Sequence, residues 1–197
     1  MADADTEPSR PIQKDYLERV AERLENSYDL ERDRPVGDTT WTLYGRFTLE
    51  REKYFLHPTV SYARHDSDEH LFVRRVDAID TDTLDTAIDL GHTLADDWIE
   101  ADERHYSTDF TFVFVAPTIP EAVADRVEGF RDRTLLKYGY YGHYEVNLVV
   151  VAPRSEELAA SEKADVAAAF RTWTPPVTRD RSLFGRLADT IFGRADR

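Results

Sequence analysis

With 197 residues, 41% hydrophobic side chains and ten Tyr, ten Phe and three Trp, the chain can bury a core without disulfides or metals and is too apolar to be disordered. Its 39 acidic and 25 basic residues leave a net charge of −14, which argues against sequence-independent nucleic-acid binding, where clustered Lys and Arg must face phosphates. The absence of Cys excludes disulfides, thiolate nucleophiles, Cys-ligated zinc and iron–sulfur clusters, and no cofactor is expected.

Residues 1–9 read as a polar leader with no basic region and no apolar stretch, so no secretory signal is expected. From about 11 to 28, Ile12, Tyr16, Leu17, Val20, Ala21 and Leu24 recur at helical spacing behind Ser9 as a cap. A loop with Pro35 and Gly37 is expected next. The period then falls to 2: Trp41, Leu43, Gly45, Phe47 and Leu49 alternate with Thr42, Tyr44, Arg46 and Thr48. A charged turn at 50–53, a run at 54–63, a second turn at 66–69 and a run at 71–76 complete a three-stranded antiparallel meander, with Pro58 marking an edge or a bulge.

Leu84, Ile88, Gly91, Leu94 and Trp98 predict a helix over about 82–103. The unbroken apolar run 109–117 predicts a buried strand. A helix over about 119–137 follows, opened by Thr118-Ile-Pro-Glu121 as a capping box. A second buried strand at 145–153 and a helix at 155–171 come next. Phe-Val-Phe-Val-Ala-Pro (112–117) and Leu-Val-Val-Val-Ala-Pro (148–153) are weak copies 36 residues apart, which predicts a parallel βαβ unit. The fold class is therefore α/β (mixed α+β), in the order α-βββ-αβ-αβ-α, with one domain over 10–174.

Thr174-Pro-Pro-Val breaks the chain ahead of a separate piece, 175–197. Phe184, Leu187, Ile191 and Phe192 fall on one helical face of it. Five Arg against three Asp give residues 179–197 a charge of +2, on a remainder of −16. A basic amphipathic helix on an acidic body reads as a docking element for a protein partner or a membrane surface, or as the last packing helix. No apolar run approaches the roughly 18 residues of a membrane span, so a cytoplasmic protein is expected, peripheral to the membrane if the tail docks there.

Three places could carry chemistry. In Lys137-Tyr-Gly-Tyr-Tyr-Gly-His-Tyr-Glu145, a strand beginning near Tyr141 would put Tyr141, His143, Glu145 and Asn147 on one face, with Lys137 at the preceding helix end. Phenol, imidazole, carboxylate and amide together could bind a polar ligand or perform acid–base work. In His65-Asp-Ser-Asp-Glu-His70, His65 and His70 would face each other across a turn, and with Asp66, Asp68 and Glu69 they could hold a divalent metal; a solvated turn is the plainer reading. The carboxyl ends of the parallel strands, at Ala116-Pro-Thr118 and Ala152-Pro-Arg154, are the topological expectation for an anion, although no Gly-rich phosphate loop follows either strand. His92 reads as an exposed histidine between Asp89 and Asp96.

The acids are 23 Asp and 16 Glu, and the cations 21 Arg and only four Lys. That composition, with the run Leu135 to Glu145 and on to Ala152-Pro153, resembles an uncharacterised acidic protein family typical of halophilic archaea, a resemblance that implies a potassium-rich cytoplasm and no known activity. The order α-βββ-α-β over about 11–116 also resembles restriction-endonuclease-like nucleases. Their acid-x-Lys pair is missing from the third strand, His70-Leu-Phe-Val-Arg-Arg-Val-Asp77, so no nuclease activity is implied. The sequence thus favours a non-catalytic binding or adaptor module over a small hydrolase or metal-dependent enzyme using His143 and Glu145.

Overall fold

A computed structural model describes residues 10–52 and 64–174, with side chains for 16–49 and 66–174. Helix α1 (Arg10–Leu24) leads into β1 (Asp29–Val36), β2 (Thr39–Glu52) and β3 (Arg64–Arg75). Helix α2 (Thr81–Trp98), β4 (His105–Val115), α3 (Glu121–Glu128), β5 (Asp132–Leu135) and a 3-10 turn (Leu136–Gly139) follow. The remaining elements are β6 (His143–Ala152), β7 (Glu157–Ala160) and α4 (Ala167–Phe170). The seven strands make one mixed sheet in the order β1-β2-β3-β4-β6-β5, with β7 also on β6. β1, β2 and β3 are antiparallel, β3, β4 and β6 are parallel, and β5 and β7 pair antiparallel with successive halves of β6.

The 36-residue repeat becomes the register of the sheet's centre: Phe112 pairs with Leu148, Val113 with Val149 and Val115 with Val151. Each apolar strand is buried on both faces, as its unbroken hydrophobicity requires. One face, with Phe72, Phe110, Phe112, Phe114, Leu148 and Val150, packs under α2 and α3. The other, with Leu71, Val73, Val113, Val115, Val149 and Val151, packs under α1 and α4. Tyr16 Oη donates to the Phe170 carbonyl at 2.8 Å, tying α1 to α4. Gly91 lets α2 approach the sheet, because a Cβ there would lie 2.8 Å from Val146 Cγ2.

Several elements differ from the sequence expectation, each for a nonlocal reason. Residues 29–36 are a strand, not a loop: Gly37, at φ +59, closes a hairpin that pairs Val36 with Thr39 and Asp29 with Arg46. The antiparallel trio is therefore 29–36, 39–52 and 64–75, while the expected strand at 54–63 lies outside the described residues. Both expected charged turns are strand as far as they are described. Glu50 pairs with Asp66 and Leu49 with Ser67, so a long hairpin carries its polar residues into the sheet.

The expected helix at 119–137 ends at Glu128, and Asp132–Leu135 becomes β5, because the edge of β6 offers ladder bonds. Pro120 caps α3 without a side-chain bond, so the Thr118 capping box does not form. The expected helix at 155–171 is reduced to α4; Glu157–Ala160 completes the other half of the β6 edge. Among the described residues, no helix is long and apolar enough to cross a membrane. The amphipathic face of Phe184, Leu187, Ile191 and Phe192 lies outside the described residues.

Candidate functional site

Alternation along β3 sends Asp66, Asp68 and His70 to the α2 face and Glu69 to the α1 face, on either side of Ser67. The run read as a turn thus supplies two surfaces at the amino ends of the parallel strands.

On the α2 face lies a cavity of about 400 Å³. Its floor is Tyr44 and Arg46 from β2, Asp66, Asp68 and His70 from β3, and Thr108 from β4. Arg34 from β1, Trp98 at the end of α2 and the following segment through Arg104 and His105 make its walls. His70 is buried between Phe110, stacked at 5.3 Å, and Trp98, which meets it edge-on at 5.1 Å. Burial lowers its pKa to about 4, so the ring is neutral at pH 7, and Nδ1 shares a 2.7 Å hydrogen bond with Tyr44 Oη. Burial also raises the Tyr44 pKa, against the charge of Arg34, whose guanidinium carbon lies 4.1 Å from the centre of the Tyr44 ring.

The arginines are held by nearby acids. Arg46 pairs with Asp68 at 3.2 Å, Arg34 with Glu31 at 2.7 Å and Arg104 with Asp102 at 3.5 Å. Asp66 differs: its Oδ1 is buried without a hydrogen-bond partner. It sits beside the register shift at which β4 takes one extra residue, Tyr106, between His105 and Ser107. His105 Nδ1 donates to the Tyr141 carbonyl at 2.7 Å and ties the 136–142 loop to the cavity wall.

On the α1 face three rows that carry polar side chains cross β3, β4 and β6 in register. Ser67, Ser107 and His143 form the first, Glu69, Asp109 and Glu145 the second, and Leu71, Thr111 and Asn147 the third. Burial raises the Glu69 pKa, although Tyr28 Oη donates to its Oε2 at 2.6 Å. Asp109 is raised well above the usual carboxylate range, first by the protein around it and then by Glu69 and Glu145 on either side. Burial also raises Glu145, against the pull of Arg133 at 3.7 Å. His143 Nε2 lies 3.6 Å from Glu145 Oε1, and burial lowers its pKa to about 4, helped by Arg133.

The expected face is therefore only partly assembled. His143, Glu145 and Asn147 share it, as their spacing requires. Asn147 Oδ1 accepts from Ser161 Oγ at 3.3 Å, while Ser161 Oγ accepts from the Leu148 amide at 3.1 Å, bridging the gap where β6 changes partner from β5 to β7. Tyr141 precedes the strand, and Lys137 is exposed in a loop with φ +46, followed by Tyr138 at φ +59. Gly142 closes that loop at φ +74, where a Cβ would collide with the Tyr106 carbonyl. Asp66, Asp68 and His70 face away from Glu69, and the side chain of His65 is outside the described set. Among the described residues, no group of three His, Asp or Glu side chains is placed to hold a metal ion.

The topological expectation at the carboxyl ends is not where the cavity lies: Ala116 and Ala152 are buried there, and the cavity is at the opposite end. His92 is bonded by Tyr144 Oη at 2.9 Å and Asp132 at 3.1 Å rather than by Asp89 and Asp96. Sequence reasoning missed Arg34, Tyr44, Trp98, Arg104 and Asp109. Only Asp109 carried a signal, as a carboxylate at the head of an apolar strand. No curated protein and no solved structure matches the chain. Residues 12–172 match the family described as Domain of unknown function (DUF8052), and the chain belongs to that family.

Proposed function

We propose that this protein is a non-catalytic binding module that takes a small polar ligand in the α2-face cavity and docks on a protein partner or membrane surface through residues 179–197. The observation that carries the ligand half is the cavity itself. It combines aromatic walls with ionic side chains, Asp66 among them, the mixture by which concave sites orient a ligand. The docking half rests on the contrast between a +2 tail and a −16 body. The excess of Asp and Arg over Glu and Lys supports a salt-rich cytoplasm as the setting, where a Debye length of about 3 Å leaves apolar contact to decide docking.

Affinity purification of the full chain and of a 1–178 truncation from a high-salt host tests both halves. Small molecules should be retained by both forms, and a protein or lipid by the full chain alone. Identical eluates without any small molecule defeat the reading.

A second reading, a small hydrolase, draws on the His143–Glu145 pair, whose pKa values are displaced in opposite directions by burial. Unchanged host growth in a His143→Gln, Glu145→Gln double variant would dispose of it.

A further inference from the structure

The cavity's charge pattern narrows its ligand, on the reading that the cavity is a ligand site. Its ionic lining is nearly balanced: the guanidiniums of Arg34, Arg46 and Arg104 stand against the carboxyls of Asp66, Asp68, Glu100 and Asp102. A simple anion or a simple cation would meet as much repulsion as attraction there. A molecule with both signs, spaced to match, meets attraction at each end.

The two signs are not equally satisfied. Arg46 and Arg104 are held by neighbouring acids through Nη2 and Nε respectively, and a guanidinium has five N–H donors in a planar fork. Donors remain on both for a carboxylate, which they can grip in two-point geometry. The Asp66 carboxyl is the opposite case: it lines the cavity, its enclosed Oδ1 has no partner among the described residues, and a ligand meets it through the other oxygen. The carboxyl lacks a hydrogen-bond donor, and an ammonium supplies three. Trp98, 38% exposed, and Ile99 line the same cavity and offer an apolar wall for a side chain.

We propose that the cavity binds a free amino acid with an apolar side chain, its ammonium against Asp66, its carboxylate against Arg46 and Arg104, and its side chain against Trp98. Titration calorimetry of the full chain in molar KCl tests this with L-phenylalanine, phenethylamine and N-acetyl-phenylalanine. Phenylalanine should bind saturably. The amine, lacking the carboxylate, and the acetylated form, lacking the ammonium, should each bind at least about tenfold more weakly, as charged hydrogen bonds are lost. Asp66→Asn should weaken phenylalanine by a similar factor. Arg46→Gln, at an exposed side chain, should weaken phenylalanine without weakening phenethylamine.

Equal binding of phenylalanine and either analogue, or unchanged affinity in both variants, overturns the proposal. If no amino acid binds but another small molecule co-purifies and is lost from Asp66→Asn, the ligand class is wrong and the cavity reading survives. If no small molecule binds or co-purifies, both fail together.

Discussion

Burial displaces the histidines and the carboxylates of the sheet in opposite senses, and stability should follow pH accordingly. His70 and His143 are held at about 4 against an ordinary 6.5, so the native state binds fewer protons than the unfolded chain between those values. Their contribution is full above pH 6.5 and is lost as pH falls toward 4. Glu69, Asp109 and Glu145 act the other way: raised in the native state, they hold protons the unfolded chain releases, and their contribution is lost as pH rises through their raised values. Asp109→Asn removes the middle charge of the row while keeping its shape. The variant should be more stable than the parent at pH 7 by at least about 1.4 kcal/mol, the equivalent of a tenfold displacement of the protonation equilibrium. The gap should close as pH falls toward the ordinary carboxylate range. Urea unfolding at pH 7 and pH 5 measures both values, and an Asn variant less stable at pH 7 would contradict the account. Asp109 was visible in the sequence as a letter, but its neighbours Glu69 and Glu145, 40 and 36 residues away, were not visible as neighbours.

At the scale of elements, strong periodicity was read correctly and weak periodicity was not. α2 follows its Leu84, Ile88, Leu94 stripe, and its start is fixed by Asp80, whose Oδ1 accepts from the Thr83 amide at 2.8 Å. β4 and β6 follow from unbroken apolar runs. The segments after β4 and β6 had helical spacing too, and each forms a shorter helix, α3 and α4, while the rest becomes β5 and β7, because β6 needed both halves of its outer edge paired. The close seating of α2 on β6 gives a direct test. Gly91→Ala would bring a Cβ within 2.8 Å of Val146 Cγ2 and 3.1 Å of the Phe112 ring. Overpacking should outweigh the gain in helix propensity and destabilise the protein by about 1–3 kcal/mol, read as a lower urea midpoint. A midpoint at or above the parent's would mean that the helix can shift without cost.

At the scale of the whole molecule, a net charge of −14 sets the conditions under which this core is sufficient. Screening by molar salt suppresses repulsion among the carboxylates, whereas at about 0.01 M the Debye length grows to about 30 Å and repulsion acts across the domain. The melting temperature of the full chain should therefore fall steadily as KCl is removed, more than in a variant with several exposed Asp replaced by Asn. Equal salt dependence in the two would assign the effect to hydrophobic burial rather than to charge.

Composition and local pattern by themselves determined the class of the fold, the parallel pairing at its centre and the shared face of His143, Glu145 and Asn147. The class and the shared face follow from periods of 2 and 3.6 that a short window contains, and the parallel pairing from two unbroken apolar runs 36 residues apart. What the tertiary structure alone decided was where polar residues from different strands meet. Tyr44 reaches His70 across 26 positions, and Asp66 reaches the register shift beside β4, through pairings that no local window holds. Side-chain period tells each strand which face a residue takes. Only the register between strands tells it which residues stand opposite, and the cavity and the carboxylate row are both made by register.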